Sequence, residues 1–467
     1  MNARQLLLRF AALALASCGL GVSSASAGVF HVKLAATGAG NGVDWANACT
    51  LPYALANTQA GDEVWITQAT YPAPAGGYVI NKRLALYGGF KGTEVDHNHR
   101  LGSFLATILE GDIGVIGNPL DNVPHVVSTT GVVGVGGGPG LLIDGFLIEN
   151  GYTATAGVNG AGILATQTDL DLTNCFLRHN WAPGANGGGL YFTSYVAGVA
   201  PPTGYQLRIK NCEFSNDTGT WGGGIFAERA RGEVVNTQFL TNAAFPYGGG
   251  AYVTKNGTGS RLDFTSCVFW QNSCSISGTP NQGGGLYLGD VGAGTGGNVR
   301  MVNCTLADNT GNSGTDGQAV VVSVNSLMEI YNSILYFNGT GGTGTPLPIF
   351  GTVTATYSDI EGGTIFGAGM ISVDPLFANH TGGSLHLRLS GTIASPCLDA
   401  ADYSRLPADD LDVDGDGNFG EPLPLDVAGL ARLTGQPNVN DTGVGSTTGA
   451  YACSTCTYLD MGAFERP

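Results

Sequence analysis

The sequence predicts an all-β chain wound into a right-handed parallel β-helix with a loop-rich C-terminal cap. Three observations carry this: a short unit that recurs along the middle of the chain with period-two alternation, glycine runs placed between its copies, and a composition of 76 glycines with only 12% charged residues. Such a composition suits neither a helical chain nor, at 43% hydrophobic, a disordered one. It suits many short strands joined by tight turns.

The repeat reads apolar-x-apolar-x-[Asn/Ser]-[Cys/Thr/Ser]-x-[Phe/Leu]-x-x-[Asn/Asp]. Its six copies span 170–180, 207–217, 232–242, 262–272, 299–309 and 328–338, and a weaker copy lies around 144–150. Alternation of period two buries one face of a strand, and the turn residues between copies exclude amphipathic helices. Each copy therefore makes one coil, and equivalent positions stack from coil to coil at about 4.8 Å. Leu172, Ile209, Val234, Phe264, Met301 and Ile330 are expected to stack inside. Asn180, Asp217, Asn242, Asn272, Asn309 and Asn338 are expected to form a side-chain ladder at a turn, where Asn tolerates unusual backbone angles. Between copies, Gly187–Gly189, Gly222–Gly224, Gly248–Gly250 and Gly283–Gly285 read as turns and close-packing sites; they lack the lysine and helix of a phosphate loop. Uneven spacing places extended loops at 194–204 and 273–282, where binding commonly resides.

Taken in chain order, residues 1–27 read as a cleaved secretory signal. Arg4 and Arg9 precede an apolar run at 10–22, and small residues end at Ala25-Ser26-Ala27. Leu15-Ala16-Ser17-Cys18 offers the other reading, a lipid-bearing Cys18. The solenoid is expected over 28–378, closed at its start by the apolar segment at 51–56, and the cap over 379–467. A cap is physically required because an open end exposes strand edges. The expected location is secreted or on the outer cell surface. Removing the signal takes the formal charge from −17 to −19, which disfavours nucleic acid and anionic lipid as partners. The mature chain offers no apolar run of the roughly 20 residues a membrane helix needs, and a monomer is expected.

The paired FxxN and glycine-run motifs resemble those of the chlamydial polymorphic outer-membrane proteins and of the pectate-lyase-like β-helix superfamily. The N-terminal stretch through Gly61-Asp62-Glu63-Val64-Trp65-Ile66, Tyr87-Gly88-Gly89-Phe90 and Gly111-Asp112-Ile113 is similar to the start of such bacterial surface proteins. The C-terminal stretch resembles the choice-of-anchor Q domain through Val373-Asp374-Pro375-Leu376-Phe377, Ser395-Pro396-Cys397-Leu398-Asp399 and Asp460-Met461-Gly462-Ala463-Phe464-Glu465. This resemblance implies architecture more than activity.

The sharpest local motif is Asp410-x-Asp412-x-Asp414-Gly415-x5-Glu421, which fits the twelve-position calcium-loop pattern. Asp416 would add a backbone carbonyl and Asn418 the near-ligand position. Gly417 and Pro422 depart from the pattern, so flanking helices are not expected, and an exposed acidic turn is the plain alternative. A Ca2+ held here would be structural, fixing a loop with little core of its own.

A second candidate is an outward column of charge: Asp171, Arg208, Glu233, Asp263, Arg300 and Glu329. Most stacked neighbours have opposite sign, an ordinary surface device contributing up to about 1 kcal/mol per pair. Glu233 beside Asp263 is the exception. Like charges that close raise the pKa of one or attract a cation. Flanked by Arg208 and Arg300, they form the candidate catalytic set, with two carboxylates for a hydrolase or an arginine base for a lyase. Solvated surface is the plain alternative.

His97-x-His99 could clip a metal but lacks an evident third ligand, and His179 is expected to face solvent. Cys175, Cys212, Cys267 and Cys304 share one column and read as small buried residues, with adjacent pairs within disulfide range. Cys453-x-x-Cys456 reads as a structural disulfide. Three functions follow: adhesion or glycan binding without catalysis, a polysaccharide lyase or glycoside hydrolase, or a structural envelope component. Acids gathered in a groove with aromatic walls would favour the enzyme, and evenly paired charges the other two.

Overall fold

The computed structural model describes residues 27–195, 205–254, 261–275, 283–289, 297–311, 317–339, 348–363, 365, 367–390, 393–432 and 459–465. Residues 1–26, which hold Cys18 and all but the last residue of the expected signal at 1–27, lie outside these residues, as do Cys453, Cys456 and most of the loops at 194–204 and 273–282.

The chain is a parallel β-helix. In the solenoid coils from Glu63 to Ile360, strands that follow one another in sequence do not pair; each pairs in parallel with a strand of the neighbouring coil. Sheet 1 has eleven strands, from Val29–Val32 to Thr354–Thr356. Sheet 2 has ten, from Ala69–Pro72 to Asp359–Ile360, and sheet 3 has nine, from Tyr78–Val79 to Ile349–Phe350. A short sheet 4 of four strands, Trp181–Ala182, Thr218–Trp221, Ala243–Tyr247 and Ser273–Cys274, bridges sheets 2 and 3 in the central coils. Two small antiparallel pairs lie in the C-terminal region.

The repeat register holds coil by coil. Leu170 opposes Leu207, which opposes Gly232, then Leu262, Val299 and Met328. The column from Leu172 to Ile330 is fully buried, as the alternation predicts. Each such side chain contributes about 1.5–3 kcal/mol through burial. Sheet 2 adds an inner aromatic stack, Phe214, Phe239 and Phe269, with centroids 5.3 and 4.4 Å apart. At the start, the helix Leu51–Asn57 buries Leu51 and Ala54 in the same core.

The ladder forms, but its unusual backbone angles fall one residue earlier than expected. His179, Asn216, Thr241, Gln271, Asp308 and Phe337 take positive φ, and the ladder residues after them do not. The left-handed residue turns the chain, and the following side chain then points inward. There Asn242 Nδ2 donates to Asn272 Oδ1, Asn272 to Asn309 and Asn309 to Asn338, each at 3.0 Å. At its N-terminal end the ladder stops at Gly151, whose N–H donates to Asn180 Oδ1 at 3.1 Å.

A second column is left-handed too. Asn174, Asn211, Asn236, Ser266, Asn303 and Asn332, the [Asn/Ser] position of the repeat, all have φ near 50°. The glycine runs answer a third need. Gly222 has φ +68°, and a Cβ on Gly223 would lie 2.3 Å from the Ala243 carbonyl oxygen and 2.5 Å from that of Gly249. Only glycine lets the coils approach this closely.

The C-terminal residues lie along the flank of the solenoid. Phe377, Leu385, Leu387, Leu398, Leu459 and Met461 form one core with Val268, Ala307 and Ile334 of sheet 2. The second column receives this segment. Asn332 exchanges hydrogen bonds with the Asp402 backbone at 2.8 and 2.9 Å, and Asn303 Nδ2 donates to the Asp460 carbonyl at 3.1 Å. Arg432, fully buried, reaches Ser266 Oγ and pairs with Glu465 at 3.5 Å. No helix among the described residues is long and apolar enough to cross a membrane.

Candidate functional site

The charged column forms on the outer face of sheet 1 in the register expected. Asp171 opposes Arg208, then Glu233, Asp263, Arg300 and Glu329. Arg208 Nε pairs with Asp171 Oδ1 at 2.8 Å, and Arg300 Nη2 with Asp263 Oδ2 at 2.6 Å. Asp263 has a further partner that the repeat did not point to: Arg261 Nε lies 2.5 Å from its Oδ1. The signal was available, since Arg261 and Asp263 are two apart in an extended segment and so share its outer face. The Glu233–Asp263 pair is thus asymmetric, with Asp263 held by two arginines and Glu233 by neither ion pair nor hydrogen bond among the described residues.

Glu233 is instead covered by the C-terminal segment. Val413 and Leu423 pack on Val235, the strand neighbour of Glu233, and Lys210 Nζ donates to the carbonyls of Leu411 and Asp412 at 2.9 and 3.0 Å. Burial is the main cause raising the Glu233 carboxyl to about 7, with the charges of Asp410 and Asp263 adding to it and Arg208 opposing. The column expected to be an open face is therefore roofed where its acid is most perturbed. Farther along the same flank, Glu213, Asn236, Gln238 and Asp426 help line a cavity of about 240 Å³.

The acidic loop itself is organised differently from its sequence pattern. Carboxylate oxygens of Asp409, Asp414 and Glu421 lie within 4.8 Å of one another, as do those of Asp412, Asp414 and Asp416. Asp410, first position of the pattern, belongs to neither group; it is exposed, and its charge bears on Glu233. Asp409 takes the inward place because its side chain caps the turn, accepting from the Val413 N–H at 2.8 Å. Burial, then the charges of Asp414 and Asp412, pushes its carboxyl up. Asn418 Nδ2 donates to Glu421 Oε2 at 2.9 Å.

Sheet 3 carries a feature that sequence reading passed over. Tyr191, Phe226, Tyr252 and Tyr287 occupy one outward column, with ring centroids 5.0, 5.3 and 5.1 Å apart and planes within 13° of parallel. Trp221 stacks over Tyr252 at 5.6 Å, and Tyr247 meets Tyr287 at 4.6 Å. Phe226 and Tyr252 are buried by these neighbours, whereas Tyr191, Trp221, Tyr247 and Tyr287 are half-buried and present ring surface outward. The signal was the residue after each glycine-run-plus-apolar element, aromatic in four successive coils.

His97 and His99 do not form a clip. His97 stacks on Tyr87 at 4.3 Å with Nδ1 3.2 Å from Glu63, while His99 Nδ1 turns to Asp96. His179 is exposed. The column cysteines Cys175, Cys212, Cys267 and Cys304 are buried free thiols, so the adjacent pairs do not form the disulfides their spacing permits.

No family model matches the sequence. A metabotropic glutamate receptor-like protein R of Dictyostelium discoideum is 33% identical over 135 residues, which is 28% of this chain but 7% of that protein. Among solved structures, pectate lyase Pel9A aligns over 95% of this chain and 97% of its own, at 12% identity and a TM-score of 0.42. A pectin methylesterase from Aspergillus niger aligns over 70% of this chain and 91% of its own, at 14% identity and a TM-score of 0.33. Likeness at that level carries no residue of this chain into a role.

Proposed function

We propose that the protein is a secreted, non-catalytic glycan-binding or adhesion protein that holds its ligand against the aromatic stripe of sheet 3. The observation that supports this is the stacked column of Tyr191, Phe226, Tyr252 and Tyr287 with Trp221 and Tyr247 beside it. Sugar rings present apolar C–H faces that stack on aromatic rings, while tyrosine hydroxyls offer hydrogen bonds at the edge. A ladder repeating every 5 Å offers such a surface along a chain rather than at one residue. The formal charge of −17 favours a neutral polysaccharide over a polyuronate.

The acids and the aromatics stand on different sheets. The charges of the sheet 1 column are mostly paired, and Glu233 lies under the C-terminal segment, which argues for the binding reading over the lyase or hydrolase. The test is retention of the purified protein on immobilised neutral and acidic polysaccharides, with release of reducing or unsaturated ends followed in parallel. Retention on neutral glycans, lost in Trp221→Ala and Tyr287→Ala but kept in Glu233→Gln, is expected. Release of ends that vanishes in Glu233→Gln would replace this reading with the enzyme.

A further inference from the structure

The part of the C-terminal segment at 409–423, a flap whose Val413 and Leu423 pack on Val235 of sheet 1, contains a buried oxygen with no hydrogen-bond partner. Glu421 is 4% exposed and Asp409 1%, and their carboxylates meet that of Asp414 within 4.8 Å. Glu421 Oε2 is satisfied by Asn418, but Oε1 is buried without a hydrogen-bond partner. A buried carboxylate oxygen left in this state is unfavourable, and two further carboxylates beside it supply no donor. The Asp412–Asp414–Asp416 group is half-exposed to exposed, and its oxygens already accept backbone N–H groups from Asp416, Gly417 and Asn418.

We propose that Asp409, Asp414 and Glu421 bind one calcium ion that clamps the C-terminal flap onto sheet 1. Hard oxygen donors in a loop turned by Gly415, at φ +77°, fit calcium, with water and backbone carbonyls completing the shell. This is not the register of the sequence pattern: Asp409 replaces Asp410, and no α-helix flanks the loop among the described residues. The same segment supplies Leu411 and Val413 to the contact with Lys210 and Val235, so ordering the loop orders the flap. The site stands apart from the aromatic stripe, and its failure would leave the glycan reading untouched.

The experiment is calorimetric titration of calcium chloride into the purified, chelator-treated protein, with thermal unfolding measured in calcium and in chelator. Saturable binding of one ion per chain and a higher Tm in calcium are expected. Glu421→Gln and Asp414→Asn should weaken binding on the order of tenfold or more, while Asp410→Asn changes it less than about twofold, since affinity follows the ligand set. Circular dichroism of the variants in chelator, matching the unmodified protein, separates lost binding from lost folding. A folded protein with no saturable binding at millimolar calcium overturns the site. So does a loss in Asp410→Asn equal to that in Glu421→Gln.

Discussion

Replacing Asp217 by Asn should stabilise the protein, and by more as the pH rises. Asp217 is the one acid in a ladder of amides, fully buried, and its Oδ2 has no hydrogen-bond partner. Its Oδ1 serves the ladder, accepting from Asn180 N and Nδ2 at 2.8 and 3.0 Å. In the other coils the equivalent Nδ2 makes two bonds, one to the next ladder oxygen at 3.0 Å and one to a strand carbonyl, as Asn242 does to Phe214 at 2.8 Å. At position 217 those acceptors would be Asn242 Oδ1 and the Leu177 carbonyl. A neutral acid can donate to one of them and an amide to both, so in acid the gain is one buried hydrogen bond, about 1 kcal/mol. Burial raises the Asp217 carboxyl well above its ordinary range. The unfolded chain ionises near pH 3.9 while the native one stays protonated, so native stability falls as pH climbs from there to the native pKa. Asn lacks this loss. The advantage of Asp217→Asn should therefore grow by about 1.4 kcal/mol per pH unit above pH 4, for as long as the native acid holds its proton. Urea unfolding of both proteins at pH 5, 6 and 7 reads this directly. An advantage that stays constant with pH, or a less stable variant, would mean that Asp217 is not a buried acid whose proton is held by the fold.

Three further outcomes are expected. Glu233→Gln should raise stability by about 1 kcal/mol at pH 5 and by roughly 3–4 kcal/mol at pH 8, because a carboxyl held near 7 penalises the native state between its unfolded pKa and that value; thermal melts across that range check it. Gly223→Ala should destabilise by about 1–3 kcal/mol, since its Cβ would meet two backbone carbonyl oxygens that cannot move aside; chemical denaturation reads the loss. Phe239→Ala should cost about 3–5 kcal/mol by emptying the middle of the Phe214–Phe239–Phe269 stack, and a loss below about 1 kcal/mol would mean the inner stack is not packed as described.

The side-chain columns that stack from coil to coil were legible in the sequence. Period two sets which side chains face inward, and a repeat that stacks on itself sets the register, so Leu172 to Ile330, the Asn180 to Asn338 ladder and the Asp171 to Glu329 column were all legible without coordinates. Even the aromatic stripe was present as a pattern after each glycine run, readable though not read. The contacts between the solenoid and the segment that folds back over it were not legible there. Lys210 meets Leu411 across 201 residues, and no periodicity links a solenoid strand to a loop that folds back over it. That return covers Glu233, turns Asp409 rather than Asp410 into the acidic cluster, and gives the [Asn/Ser] column its partners at Asp402 and Asp460. The left-handed turns were likewise displaced by one residue from the ladder, because a motif records which side chain is needed inside and not which backbone bends to put it there. Local pattern specifies stacking, since each coil needs only its neighbour; the flap is specified by buried contacts that exist only once the whole solenoid has formed.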